Sequence, residues 1–305
     1  MSVEAGRETS RSAVVPLPWP AASARLADFV ALTKPRLNLL TVATTAAGYY
    51  LGADRVDAVR LFHTVLGAAL VAGGGAAFNE IIERDTDALM HRTRTRPLPL
   101  QRMEASTATW FALALSTLGV LQLAAGAGML AAAIALATLL TYVCVYTPLK
   151  RRTPLATLVG GVPGALPPLI GWAAAQGTLT REAWVLFAIV FLWQMPHFLA
   201  IAWLCREDYA RAGLPMLPVV EPDGRSTAQQ VLLYTAVLLP VSLLPSAIGL
   251  SGRVYFVGAL LLGATFLALA VSFALRRDRP TALRLFLGSI VYLPLLWGLL
   301  IGDHG

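Results

Sequence analysis

The stretch Asn79-Glu80-Ile81-Ile82-Glu83-Arg84-Asp85-Thr86-Asp87 ends a long apolar run in a concentration of oxygen-bearing side chains. At roughly 100° per residue, a helix here sets Asn79, Glu83 and Asp87 on one stripe about 80° wide. Asp85 falls on the far side. Carboxylates stacked this closely repel one another unless positive charge opposes them. Magnesium takes oxygen ligands, keeps several waters and uses one or two carboxylates together with substrate phosphates. The stripe therefore suits a Mg2+-diphosphate. The plain alternative is a solvated helix end carrying ordinary loop charges.

Next along the chain comes His91-Arg92-Thr93-Arg94-Thr95-Arg96-Pro97-Leu98-Pro99. Guanidinium groups bind phosphate oxygens in pairs, so arginines beside carboxylates can hold an anion whose metal the carboxylates share. A second acidic point, Asp208, lies on the same helical face as His197, eleven residues and about 16 Å along the axis. That spacing predicts Asp208 at the membrane interface and His197 near the bilayer midplane. An ionisable residue at such depth is expected to serve function. A neutral histidine bonded between helices is the alternative, and Pro196 is expected to bend its helix.

The elements that must position these groups are read from composition. The chain has 305 residues, 57% hydrophobic and 13% charged. Soluble domains carry about 25% charged residues, so this chain lacks the charge to cover a water-facing surface. Runs of ~20 apolar residues predict nine spanning helices, at about 28–52, 59–83, 105–125, 127–147, 155–175, 182–205, 229–249, 253–275 and 282–302. The third and fourth are separated only by a Gly-rich break near Ala125–Gly128. Residues 1–27 are expected to form a disordered cytoplasmic tail, and 28–305 one membrane domain. The two cysteines, Cys144 and Cys205, have no metal-site or disulfide spacing and are expected to pack.

The net charge is +7, but its distribution excludes a nucleic-acid reading. All the lysines and arginines except Arg55, Arg60, Arg181 and Arg253 fall on the side of the N-terminus. That skew predicts a cytoplasmic N-terminus and, after nine spans, a C-terminus outside. Acidic residues crowd the same loops, which topology does not require. One face is therefore expected to do the work.

Further landmarks are Thr33-Lys34-Pro35-Arg36, Tyr146-Thr147-Pro148-Leu149-Lys150-Arg151-Arg152-Thr153, Gly160 to Trp172, Trp193-Gln194-Met195-Pro196-His197-Phe198, and Asp208-Tyr209 with Ala212 to Pro218. Taken in order with Asn79 to Asp87 and Arg92 to Leu98, they resemble the UbiA superfamily of intramembrane prenyltransferases, and within it the branch that farnesylates haem. The resemblance covers the chain after about residue 28. It implies an all-α bundle of nine transmembrane helices around a central cavity open to lipid. It also implies transfer of a farnesyl group from farnesyl diphosphate to a vinyl group of haem B.

By the same resemblance, Asn79, Glu83, Asp87 and Asp208 would hold Mg2+. Lys34, Arg36, Arg92, Arg96, Lys150 and Arg151 would bind the diphosphate, and His197 the haem substrate. A haem A synthase or oxidase-assembly partner in a bacterial plasma membrane follows from it too. This sequence departs from the wider superfamily in its thin second acidic motif, where Cys205 and His197 stand in places that quinone-type members fill with acids. Ala156 stands where the haem branch is expected to carry Asn. Prenylation of a quinone precursor or chlorophyllide, secondary transport and non-catalytic haem binding remain as alternatives.

Overall fold

The computed structural model describes residues 22–304, and the secondary structure of those residues is helical throughout. The first 21 residues of the expected tail lie outside the described part. Its last residues, from Ala22, enter a short helix, α1 (Ala22–Leu32). The first expected span is therefore two helices, α1 and α2 (Pro35–Gly52), broken at Thr33-Lys34. Lys34 takes left-handed dihedrals (φ 47°, ψ 55°), because Pro35 disfavours ordinary helical geometry in the residue before it. Proline is in turn well suited to the first turn of α2.

α3 (Ala58–Asp87) is capped by Asp57, whose side chain accepts the Val59 and Arg60 N–H groups. It is followed by α4 (Ala105–Gly126), α5 (Met129–Leu149), α6 (Ala156–Gln176) and α7 (Arg181–Leu204). After a short helix, α8 (Arg206–Arg211), come α9 (Arg225–Ala247), α10 (Arg253–Arg276) and α11 (Arg279–Gly302). Eight of these, α3 to α7 and α9 to α11, are long and apolar enough to cross a membrane. They match eight of the nine expected spans; α2, within the remaining one at 28–52, is not among the helices long and apolar enough to cross. Exposed leucines and valines such as Leu118, Leu121, Val257 and Leu261 turn outward, as lipid-facing positions should. The chain is a multi-pass membrane protein.

The Gly-rich break between α4 and α5 is real: Gly128 has φ 117°, a region open mainly to glycine. α6 is less broken than its glycines and prolines imply, since Leu166 keeps helical dihedrals (φ −74°, ψ −23°) between Pro163 and Pro167. α7 likewise runs through Pro196 without interruption.

Two apolar cores meet at the crossing of α2 and α6. One joins these helices to α3, α4 and α5; the other joins them to α7, α9, α10 and α11. Backbones touch at this crossing: a Cβ on Gly171 would meet the Thr45 carbonyl oxygen, and one on Gly48 would meet that of Pro168. Small residues allow such approach, which matters in a membrane where helices associate by packing. The crossing fixes the two halves of the bundle about the ends of α3 and α7.

Candidate active site

The end of α3 is polar and buried together, a combination that costs several kcal/mol per ion unless the charges are paired. Asn79, Glu80, Glu83 and Asp87 are all less than 5% exposed, while Asp85 faces out, as the helical stripe requires. Three cations arrive from elsewhere to match three carboxylates. Lys34, at the break before α2, donates to Asn79 Oδ1 at 3.0 Å and stands 3.6 Å from Glu80. Arg96, in the loop after α3, lies 2.6 Å from Asp87 and 3.5 Å from Glu80. Lys150, at the end of α5, donates to both Glu83 oxygens at 3.0 and 3.2 Å.

Lys150 reaches Glu83 because α5 does not end as a regular helix. Residues Thr141–Tyr146 form a π-helical turn. Pro148 has no N–H to offer and its ring crowds the carbonyl four residues back. The wide turn answers this, with the Thr147 hydroxyl bonding the Tyr142 carbonyl at 2.9 Å. Such turns concentrate at functional sites. The same hydroxyl accepts Asn79 Nδ2 at 3.3 Å, so the turn locks both Asn79 and Glu83. It also stacks Tyr142 on Tyr146, centroids 5.4 Å apart, on the same segment.

The structure thus brings together Lys34, Asn79, Glu83, Asp87, Arg96 and Lys150 from the expected set. Arg36 and Arg92 are exposed at the rim, Arg92 lying 6.0 Å from the Tyr209 ring, and Arg151 bonds the Ile82 carbonyl. Asp208 is not turned into the cluster. Its two oxygens accept the backbone N–H groups of His91 and Arg92 at 3.2 and 3.3 Å, with Arg211 at 3.4 Å. Desolvation pushes that carboxyl up, but the two N–H groups and Arg211 outweigh it and hold it below the usual aspartate range. Asp208 therefore pins the basic loop, aided by the packing of Met90 against Tyr209, Leu214 and Met216.

Glu80 was missing from the expected set. The stripe through Asn79 passes it by, yet it precedes Asp87 by seven residues and so shares its face to within about 20°; that periodicity was the available signal.

Among the described residues no three acidic, His or Cys side chains converge as a ready-made metal cage. The donors present nonetheless fit a hard cation. Asp87 Oδ1 and Glu80 Oε2 are buried with no hydrogen-bond partner, and such orphaned carboxylate oxygens await either a cation or water. Phe78, the residue before Asn79, lines an apolar cavity of about 450 Å3 with Leu113, Leu121, Leu136, Leu140 and Val143 from α4 and α5, and no side chain of the cluster lines it. Several of these residues are exposed on the lipid-facing side.

Comparison with known proteins agrees with this architecture. The chain is 50% identical over 287 residues to a protoheme IX farnesyltransferase of Solibacter usitatus, covering 91% of this chain and 98% of that one. It is 43% identical to the protein of that name from Koribacter versatilis (94% and 96% covered) and 45% identical to that of Myxococcus xanthus (91% and 94%). In fold it resembles a digeranylgeranylglyceryl phosphate synthase, with TM-score 0.78 at 16% identity over 92% of this chain and 98% of that one. It also resembles a UbiA homologue from Archaeoglobus fulgidus bound to GPP and Mg2+, with TM-score 0.63 at 14% identity over 90% and 99%. Residues 41–297 match the model of the UbiA prenyltransferase family, and with relatives this similar along nearly their whole length, the chain belongs to that family.

Proposed function

We propose that this chain transfers a farnesyl group from farnesyl diphosphate to a vinyl group of haem B, with addition of water, giving haem O and diphosphate. The observation that carries the reading is the buried, charge-matched cluster of Lys34, Arg96 and Lys150 with Glu80, Glu83 and Asp87. It stands in a chain 50% identical to a protoheme IX farnesyltransferase. A purely structural role would replace these ions with apolar residues at little cost.

In this reading the farnesyl tail lies in the apolar cavity beside Phe78 and its diphosphate meets the cluster. Lys34, Arg96 and Lys150 exchange their carboxylate partners for phosphate oxygens and orient the C–O bond. That bond breaks with its electron pair leaving on the diphosphate, and preorganised cations stabilise the growing charge. The vinyl π electrons form the new C–C bond to the allylic carbon. The resulting cation next to the porphyrin takes up water and releases one proton. Apolar side chains around the tail keep water from the allylic cation until then. Mg2+, when bound, would supply further charge neutralisation to the leaving group, held by Asn79, Glu83 and Asp87. Arg36, Arg92 and Arg151 at the rim would draw the diphosphate in, while Asp208 keeps the loop of Arg92 and Arg96 in place. The expected cytoplasmic placement of this face, and the plasma membrane as location, belong to the same proposal, as does hand-over of product to a haem A synthase or oxidase-assembly partner.

The test is haem analysis, by chromatography and mass spectrometry, of membranes expressing the chain beside a Glu83→Ala control. Haem O from the wild type alone supports the acceptor and the role of the cluster. Unchanged haem B, despite good expression and supplied farnesyl diphosphate, overturns the haem assignment and turns attention to quinone precursors.

A further inference from the structure

One ionisable side chain of the bundle, expected from the resemblance to meet the haem substrate, has no step in the mechanism above. His197, on α7, is packed between Trp193 (centroids 5.0 Å apart, planes at 22°) and Phe286 of α11 (5.2 Å, 32°), with Phe198 at 5.6 Å. These rings leave the imidazole little freedom to turn. Its Nδ1 is 2.7 Å from Oγ of Ser289 on α11, a residue with no solvent exposure.

The direction of that hydrogen bond is decided by the serine. Ser289 Oγ donates to the Phe286 carbonyl, and a hydroxyl has one proton to give. Toward His197 it can therefore only accept, so the imidazole proton sits on Nδ1. Ser289 is itself held, because its carbonyl accepts the Trp193 indole N–H at 2.8 Å. The consequence lies on the other ring nitrogen. Nε2 is left as a bare lone pair, it has no hydrogen-bond partner among the described residues, and it is not among the sealed, unpartnered polar atoms. A histidine serving only as interhelical glue would be expected to use both nitrogens. One nitrogen fixed by a buried oxygen and the other bare is the arrangement of a metal-binding imidazole.

We propose that Nε2 of His197 is an axial ligand to the iron of the porphyrin substrate, and that Ser289 is the positioning residue that fixes its tautomer and ring plane. This rests on the haem reading above. Ligation at iron anchors the macrocycle by its centre and leaves the vinyl edge to be presented to the diphosphate site.

The experiment is titration of the full-length protein in lipid nanodiscs with haem B, read by resonance Raman spectroscopy of the ferrous complex. The wild type is expected to show an iron–histidine stretching band. His197→Ala loses it, and added imidazole restores it, which separates loss of the ligand from loss of the fold. Ser289→Ala shifts the band and weakens haem binding about 10–100-fold, while Ser289→Thr, which keeps the hydroxyl, stays close to wild type. A band that survives in His197→Ala, or a Ser289→Ala protein indistinguishable from wild type, overturns the inference. Haem O formation without an iron–histidine band also overturns it and leaves the functional reading intact. A wild type that neither binds haem nor makes haem O removes both.

Discussion

At the scale of single residues, the site is a set of ions that tolerate burial only because each has a partner. Lys150 and Glu83 form a pair that is almost wholly enclosed. Lys150→Met leaves the Glu83 carboxylate without its ammonium, and breaking a buried pair in this way costs about 3–5 kcal/mol. The double variant Lys150→Met with Glu83→Gln removes both charges and is expected to recover most of that loss. Thermal unfolding in detergent reports the stability difference, and haem O formation should be absent from both. Equal stability of the single and double variants would show that the pair contributes nothing to the fold. The residues that could be read from sequence were those with a local rhythm: Asn79, Glu83 and Asp87 at four-residue spacing, and the arginines just after them. Glu80 was hidden by a stripe drawn through its neighbour. Ser289 was not legible at all, since its meaning depends on a histidine 92 positions away.

At the scale of elements, eight of the nine expected spans were legible to within a few residues because lipid demands long apolar runs. Their interruptions were not. The break at Lys34 and the π turn before Pro148 place lysines against α3, and neither follows from hydropathy. The π turn makes a prediction in which stability and activity part company. Pro148→Ala restores an N–H and removes the ring that crowds the preceding turn, so α5 can relax to regular helix. Thermal stability should hold or rise, by up to about 3 kcal/mol. Lys150 and Thr147 would then rotate away from Glu83 and Asn79, and misplacement on the order of 1 Å can cost about 100-fold in turnover. Wild-type turnover in a well-folded Pro148→Ala protein would show that the wide turn does not set the site.

At the scale of the whole molecule, the nine spans expected from the sequence, with a one-sided distribution of lysine and arginine, predict termini on opposite sides of the membrane. A reporter fused after Gly302 that is active only outside the cytoplasm would agree, and one active inside would reverse the orientation. The cavity between α4 and α5 carries a different kind of consequence, because exposed leucines line its mouth. A farnesyl chain that enters there comes from within the bilayer, so the quantity the protein senses is substrate per lipid. Turnover should fall when inert phospholipid is added at fixed amounts of protein and farnesyl diphosphate, and return when the substrate-to-lipid ratio is restored. Varying the aqueous volume at constant lipid should leave it unchanged. For such a catalyst the membrane is the reaction vessel, and its area takes the place that volume holds for an enzyme in water.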